Sequence, residues 1–474
     1  MDEVVLFRSL TLASIHLAAA VSVTVHVALH KRSVPSAIGW IGLSWLAPLF
    51  GSFLYLLLGI NRVNRAGANL GLSTRAIARD RLSSKLDEAA HSGFRGMNLL
   101  AETVTRRPLL AGNTVEPLID GDGAYPAMIA AIHGASVSVT MSSYIFDCDS
   151  AGRLFLEALA AAGGRGVEVR VLIDALGARY SKVDMIKALR RAGVASAVFL
   201  PTRGKHFIRY ANLRDHRKIM VVDGLTGFTG GMNIAEGNLV SRNPENPIQD
   251  LHFRVTGPIV TELQSDFAMD WSFSTGGELS GPVWFANPPE DGPVFARSIP
   301  DGPDSTMDNM QIIMLGALAA AQYRARIVTP YFLPDEALTA ALKTAALRGV
   351  TVDIVLPGKS NLVFMDWAMG PQLADLIDRG CRVFLSPPPF DHTKIFTVDG
   401  IWSLIGSTNW DPRSLRLNFE YNLECYDPAL ARGLEELADK RIAAGHALTA
   451  KELRSMPAPV RIRNGLARLF SPYL

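Results

Sequence analysis

Two histidines of this chain stand in matching surroundings. His216 is followed by Arg217, Lys218 and, after four residues, Asp223-Gly224; His392 is followed by Thr393, Lys394 and, at the same interval, Asp399-Gly400. An asparagine lies 17 residues beyond each histidine, Asn233 and Asn409, preceded by Gly230-Gly231-Met232 and Gly406-Ser407-Thr408. One His-x-Lys-x4-Asp arrangement carries little weight, but two with matched asparagines make coincidence a poor explanation.

The residue types suit a phosphodiester. Histidine and lysine two apart project from one face of a strand, and a Gly-rich turn returns the asparagine amide beside the lysine. Cations and amide donors hold the non-bridging oxygens, most strongly as charge builds in the transition state. One imidazole attacks phosphorus and the other protonates the departing alcohol; an ordinary pKa near 6.5 supplies both states. The chemistry requires no metal or other cofactor, and the lysines disfavour a cation. Asp223 and Asp399 complete the candidate catalytic motif, read as holding the turn or the lysine rather than as acid or base. Two carboxylates in apolar strand-like stretches are candidates to orient the rings: Glu420, 28 residues after His392, and Asp250, 34 after His216. Burying them is costly without a purpose. Asp391, directly before His392, is expected to raise that ring's pKa and favour an acid role. His91, His133, His206 and His252 have no mirrored partner and read as ordinary polar residues.

The elements that must carry these groups also repeat. A strand at Ser142-Ser143-Tyr144-Ile145, a helix through Phe155 to Leu159 and a strand at Val167 to Asp174 recur as Ile327 to Tyr331, a helix through Leu338 and Leu342, and Val350 to Pro357. Each half adds a further helix (Met185 to Leu189, Leu373 to Ile377) and strand (Ala197 to Leu200, Arg382 to Leu385). Strand–helix alternation with β-branched, apolar strands predicts an α/β fold in two homologous halves, with the site where they meet.

Composition bounds the rest. Lys plus Arg is 47 against 45 Asp plus Glu, a net charge of +2, far from the basic footprint of a nucleic-acid binder. Three scattered cysteines, Cys148, Cys381 and Cys425, exclude a disulfide framework. Apolar residues gather at the N-terminus: residues 9–30 and 33–61 contain no Asp, Glu, Lys or Arg. About 20 such residues cross a bilayer, so residues 1–61 read as a membrane hairpin. The second run is the better span, because His16, Ser22, Thr24, His26 and His30 dilute the first. Residues 62–110, rich in arginine (Arg62, Arg65, Arg75, Arg79, Arg81), read as a juxtamembrane segment that places the following domains in the cytoplasm. The halves are expected at 111–296 and 297–474. The last stretch, from Arg461, mixes cations with Leu466, Leu469, Phe470 and Tyr473 and suits either a membrane interface or a packed terminal helix.

The duplicated motif resembles that of the phospholipase D superfamily. Nearly the whole chain is similar to bacterial cardiolipin synthases, including Pro35-Ser36-Ala37, Leu58-Gly59-Ile60-Asn61-Arg62 and the ending Pro459 to Leu474. The resemblance implies two phospholipase D-like α/β/α sandwich halves about a pseudo-twofold, preceded by the helical hairpin, in a multi-pass protein of the bacterial inner membrane. It implies a phosphatidyl group carried on histidine after glycerol leaves, then taken by a second phosphatidylglycerol. His216 is assigned as nucleophile and His392 as general acid and base, the near symmetry leaving the reverse open. Phosphatidylglycerol, other membrane phospholipids and the bilayer are the expected partners, and nucleic acid is not. A hydrolase, or a transferase using another alcohol such as phosphatidylethanolamine, is the alternative.

Overall fold

The computed structural model describes residues 2–30, 34–59, 92–181, 183–201, 212–304 and 306–469. The arginines from Arg62 to Arg81, His91, His206, Phe470 and Tyr473 lie outside them, and so does most of the expected juxtamembrane segment. The chain forms two compact units, Met1–Asn64 with Pro201–Leu213, and Arg65–Leu200 with Arg214–Leu474.

In the first unit the ranking of the two apolar runs is reversed. The first run is one continuous helix, Asp2–His30, and Val5–His30 is, among the described residues, the one helix long and apolar enough to cross a membrane. Its polar residues do not interrupt it. Ser9, Thr11, Ser14, Ser22 and Thr24 each donate to the carbonyl four residues back, at 2.7–2.9 Å, which satisfies the hydroxyls inside the helix. The second run is broken into Val34–Leu46, Pro48–Leu54 and a wider turn, Tyr55–Gly59. Pro48 has no N–H to continue the helix, and a Cβ on Gly51 would lie 2.4 Å from the Leu43 carbonyl oxygen, so only glycine fits that bend. The 13-residue piece before the break spans roughly 20 Å, short of a bilayer core. Val23, Val27, Trp40 and Tyr55 pack together in this unit. Beside them His26 Nδ1 lies 2.6 Å from the Tyr55 hydroxyl, and Trp45 Nε1 donates to Thr24 Oγ1 at 3.0 Å.

The second unit holds two mixed sheets built to one plan. In the first, strand order is Thr114–Ile119, Leu251–Thr256, Thr226–Gly230, Ile219–Val222, Ser138–Ser143, Glu168–Asp174, Ala195–Phe199. In the second, the same places are taken by Gly292–Asp301, Asn418–Tyr426, Trp402–Gly406, Ile395–Val398, Arg324–Val328, Thr351–Pro357 and Arg382–Ser386. The three strands linked by helices run parallel in each, as crossover helices demand. Helices such as Ser150–Gly164 and Glu336–Leu347 cover the outer faces, over separate apolar cores. A third core joins the inner faces, with Ile219, Val221, Phe253 and Val255 from one half against Ile395, Ile405, Leu423 and Cys425 from the other.

Two boundaries move. Gly292–Asp301 is one strand of the second sheet, so the junction expected after residue 296 falls inside it. Leu110–Gly112 is an edge strand of that sheet, and the helix Arg95–Thr105 buries Met97 and Ala101 in the core of the second half, so residues 92–110 belong to the second unit. The final helix, Ala458–Leu469, packs Ala467 beside Met365 and Ala368 but leaves Ile462, Leu466 and Leu469 exposed.

Candidate active site

Each motif histidine ends a short segment that reaches across to the other half. Arg214–Asp215 pairs with Asn418–Phe419, and the His216 N–H donates to the Phe419 carbonyl at 2.8 Å. Phe390–Asp391 pairs with Ile248–Gln249, and the His392 N–H donates to the Gln249 carbonyl at 2.7 Å. The next residue on each receiving strand is a carboxylate. His216 Nδ1 therefore meets Glu420 at 2.9 Å and His392 Nδ1 meets Asp250 at 2.7 Å. This corrects the pairing suggested by spacing along the chain, which set Glu420 with His392 and Asp250 with His216: the partners are exchanged between halves. With Nδ1 turned to a carboxylate, Nε2 is left to face a ligand.

The two rings share one electrostatic environment. Lys218 and Lys394 both act on His216, and both act on His392. Lys218 Nζ donates to the His216 carbonyl at 2.6 Å; Lys394 Nζ donates to the His392 carbonyl at 2.5 Å and lies 3.0 Å from His392 Nδ1. His216, both lysines and both carboxylates are buried, and His392 is partly exposed. Burial and then the lysines hold His216 well below its ordinary value, and the same causes, opposed by Asp250, bring His392 to about 4. Both rings are thus held below the near-neutral value expected of an unperturbed histidine. Burial lowers Lys218 to about 7 and Lys394 to about 8 against the pull of Glu420 and Asp250. An entering phosphodiester anion would favour the charged form of all four bases.

The orienting carboxylates are held differently. Glu420 also accepts from Ser407 Oγ at 2.5 Å and Asn418 Nδ2 at 3.0 Å, yet burial keeps it up at about 7. Asp250 accepts from the Leu251 N–H at 2.8 Å; burial pushes it up, but Lys394 and His392 outweigh that and hold it below the usual range. At the place of Ser407 the first half has Gly231, where a Cβ would lie 2.5 Å from Asp250 Oδ1. The shorter acid thus reaches its ring through space that a side chain would fill.

Asp223 and Asp399 are not part of this cluster. They follow the far ends of the strands Ile219–Val222 and Ile395–Val398 in left-handed conformation (φ 53° and 54°). Asp223 accepts from the N–H groups of Ser136, Val137 and Ser138, and Asp399 from those of Gln322, Tyr323 and Arg324. They hold the turn and the start of the neighbouring strand, not the lysine. Asn233 Oδ1 accepts from the Ile145 N–H at 3.1 Å, while Asn409 Nδ2 donates to Ser414 Oγ at 3.1 Å and its Oδ1 is buried without a partner. Each carboxamide thereby fixes the loop around it. Asp391 is taken by Arg441 and by the Thr393 N–H, and Asp250 acts on His392 in its stead. His252 is buried beside Asp250, lowered by burial to about 4, with Nδ1 unpartnered.

Residues without a carboxylate or cation escaped the sequence reading as site groups. Tyr144 stands edge-on to His216 at 5.2 Å and Tyr331 to His392 at 6.2 Å. Their equivalent places in the two repeats were the available signal. Ser407 stood among the small residues before Asn409, its hydroxyl unremarked.

Comparison with known proteins points to one family. Residues 128–271 and 314–442 match a family described as cardiolipin synthase, PLD-like domain. Cardiolipin synthase A of Pseudomonas fluorescens (strain SBW25) is 34% identical over 95% of both chains. Cardiolipin synthase A of Pseudomonas entomophila (strain L48) is 32% identical over 97% of both. Among solved structures, phosphatidylserine synthase of Haemophilus influenzae Rd KW20 superposes with a TM-score of 0.61 at 17% identity, covering 80% of this chain and 100% of that one. The last likeness is one of fold.

Proposed function

The chain belongs to the cardiolipin synthases with phospholipase D-like domains and is a phosphatidyltransferase; from that premise we propose that it joins two phosphatidylglycerol molecules into cardiolipin and glycerol through a phosphatidyl group carried on His216. The observation that supports this most is the exchanged pairing of each ring with the other half's carboxylate, which turns both Nε2 atoms toward a ligand.

The steps follow from the charges. His216 Nε2 attacks phosphorus, the bond to the glycerol oxygen breaks, and His392 passes its proton to that oxygen. The terminal hydroxyl of a second phosphatidylglycerol then gives its proton to His392 and attacks phosphorus, and the phosphorus–nitrogen bond breaks to restore His216. Lys218 and Lys394 hold the non-bridging oxygens, where two ammonium groups gain most as negative charge builds. Asn233 and Asn409 shape the loops at the phosphate. The assignment of the two rings rests on their partners. Asp250, ionised beside Lys394, supports an imidazolium at His392, whereas Glu420, held up at about 7, supports one at His216 less well. His216 thus stays neutral and nucleophilic. The apolar helix Val5–His30 anchors the enzyme in the bacterial inner membrane, the broken second run folds back against it, and the catalytic unit lies in the cytoplasm.

Purified full-length protein in vesicles of phosphatidylglycerol tests the reading. Cardiolipin and glycerol in equal amounts are expected. Phosphatidic acid alone would make it a hydrolase, and product formed only when phosphatidylethanolamine is added would change the acceptor.

A further inference from the structure

The helix Ala458–Leu469 is amphipathic in the sense opposite to that of a solvated surface helix. It turns Asn464 and Ala467 inward, against the helix Val363–Asp378. Ala467 packs beside Met365 and Ala368, the Arg463 guanidinium stands 4.2 Å over the Trp367 ring, and a Cβ on Gly370 would lie 3.4 Å from Asn464 Nδ2. The two helices run antiparallel, because Arg454, ahead of the first, pairs with Asp378 at the end of the second. Ile462, Leu466 and Leu469, spaced by four and three, share the face turned away from these contacts and are 63%, 55% and 72% exposed. A helix on a watered surface points its charges outward and its apolar residues inward. Here the outward residues are the large apolar ones, and exposed Arg461, Arg463 and Arg468 flank them. The antiparallel packing brings the Leu469 end toward Leu362 and Val363, two more exposed apolar side chains.

The charges around this stripe are of one sign. Ala458–Leu469 contains no Asp or Glu, and among the described residues no acid forms an ion pair with its three arginines. The acids of the neighbouring helix are engaged elsewhere: Asp375 with Lys343, Asp378 with Arg454, and Asp366 with the Ser360 N–H. The stripe also lies close to the chemistry. Tyr331 packs on the cluster that holds Met365, Ala368 and Ala467, and its hydroxyl donates to Asn361 Oδ1 at 2.7 Å, directly before Leu362. The same tyrosine ring stands 6.2 Å from His392. Contacts thus run unbroken from the final helix to one ring of the site.

We propose that the outward face of Ala458–Leu469, continued by Leu362 and Val363, lies in the headgroup–acyl boundary of an anionic bilayer and seats the His392 side of the site on the lipid surface. Ile462, Leu466 and Leu469 enter the acyl region, and the flanking arginines meet lipid phosphates, as in helices that lie in a membrane interface. Charge complementarity selects this occupant: an apolar stripe edged by cations matches acyl chains beneath a layer of phosphate. The surface that supplies the substrate is thereby held beside the ring that exchanges protons with the alcohol. The inference rests on the function proposed above only in taking a membrane phospholipid as substrate.

Depth and turnover are read separately. Full-length protein carrying Leu466→Cys, with the half-buried Cys148 replaced by serine and Cys381 and Cys425 left in the core, is labelled with a fluorophore and reconstituted in vesicles of phosphatidylglycerol and phosphatidylcholine. Lipids spin-labelled on the acyl chain should quench it at least threefold more than the same fluorophore at Tyr323→Cys, an exposed position beside Asp399 at the far end of this half. Equal quenching at the two positions overturns the proposal. So does shielding of position 466 from an aqueous quencher without acyl-chain quenching, which would put a protein on the face. For turnover, Ile462→Gln, Leu466→Gln and Leu469→Gln are combined. Activity on bilayer phosphatidylglycerol should fall at least tenfold, and activity on water-soluble dihexanoyl phosphatidylglycerol less than twofold. A parallel loss on both substrates would make the helix a support of the fold alone, and no loss on either would remove its role. Wild-type enzyme that releases phosphatidic acid instead of cardiolipin would fail the functional reading and leave the quenching result standing.

Discussion

The half-site around His216 and the half-site around His392 share a backbone and differ in nearly every group that supports the ring. Glu420 needs Ser407 and Asn418 to hold it against His216, while Asp250 meets His392 over a bare glycine. The anchors beneath them are exchanged in sign. On the first side the arginine is in the motif, Arg217, buried against Asp270 of the helix Ile259–Thr275. On the second side the arginine is on the helix Pro428–Ala444, Arg441, and the acid is in the approach segment, Asp391. On the proposed mechanism the two copies keep their imidazoles around one phosphorus while one ring serves as nucleophile and the other as proton carrier. Equal residues in equal places need not do equal work.

Three experiments would break or sharpen that contrast. The largest effect is expected from the rings themselves: His216→Ala and His392→Ala should each lose at least about 10³-fold in turnover, since nucleophile and acid are both removed from a chain of dependent steps. Acid quenching should trap a labelled phosphatidyl group in His392→Ala with a good leaving group and none in His216→Ala; trapping in the latter would reverse the roles. Smaller losses, ~10²-fold or more, are expected from Glu420→Gln and Asp250→Asn. Replacing glycerol by a p-nitrophenol leaving group, which needs no proton, should restore the first half-reaction of Asp250→Asn and not of Glu420→Gln. Equal restoration of both would remove the distinction.

The smallest effect is one of pH. Lys218 at about 7 and Lys394 at about 8 lie below an ordinary lysine, so the free enzyme sheds positive charge as pH rises through this interval. Hence kcat/KM for an anionic lipid should fall between pH 7 and 8, while the acid limb, set by protonation of the nucleophile His216, lies well below the ordinary histidine range. Asp250→Asn removes the anion that most supports Lys394 and should pull the upper limb down. A kcat/KM flat to pH 9 would contradict these protonation states.

Much of this architecture could be read from residue order. The matched His-x-Lys-x4-Asp runs, the strand–helix alternation and the identity of both orienting carboxylates follow from local pattern and from the cost of burying charge. Their exchange between halves does not, because it depends on how Arg214–Asp215 and Phe390–Asp391 dock on the opposite sheet. Two-residue strands have no periodicity to reveal a partner. The depressed histidines were hidden for a related reason, since burial belongs to the folded unit rather than to the motif. The broken second apolar run was legible at Pro48, whose missing donor weighs more than the surrounding hydrophobicity.

The exchanged carboxylates also constrain ancestry. A solitary copy of either half would own an imidazole with no acid to aim it and an acid with no imidazole to aim. An unduplicated forerunner of this design would have had to work as a twofold pair, each subunit completing its neighbour. Tandem fusion released the two copies from being identical, and the serine, glycine, glutamate and aspartate that now distinguish them are the record of that freedom.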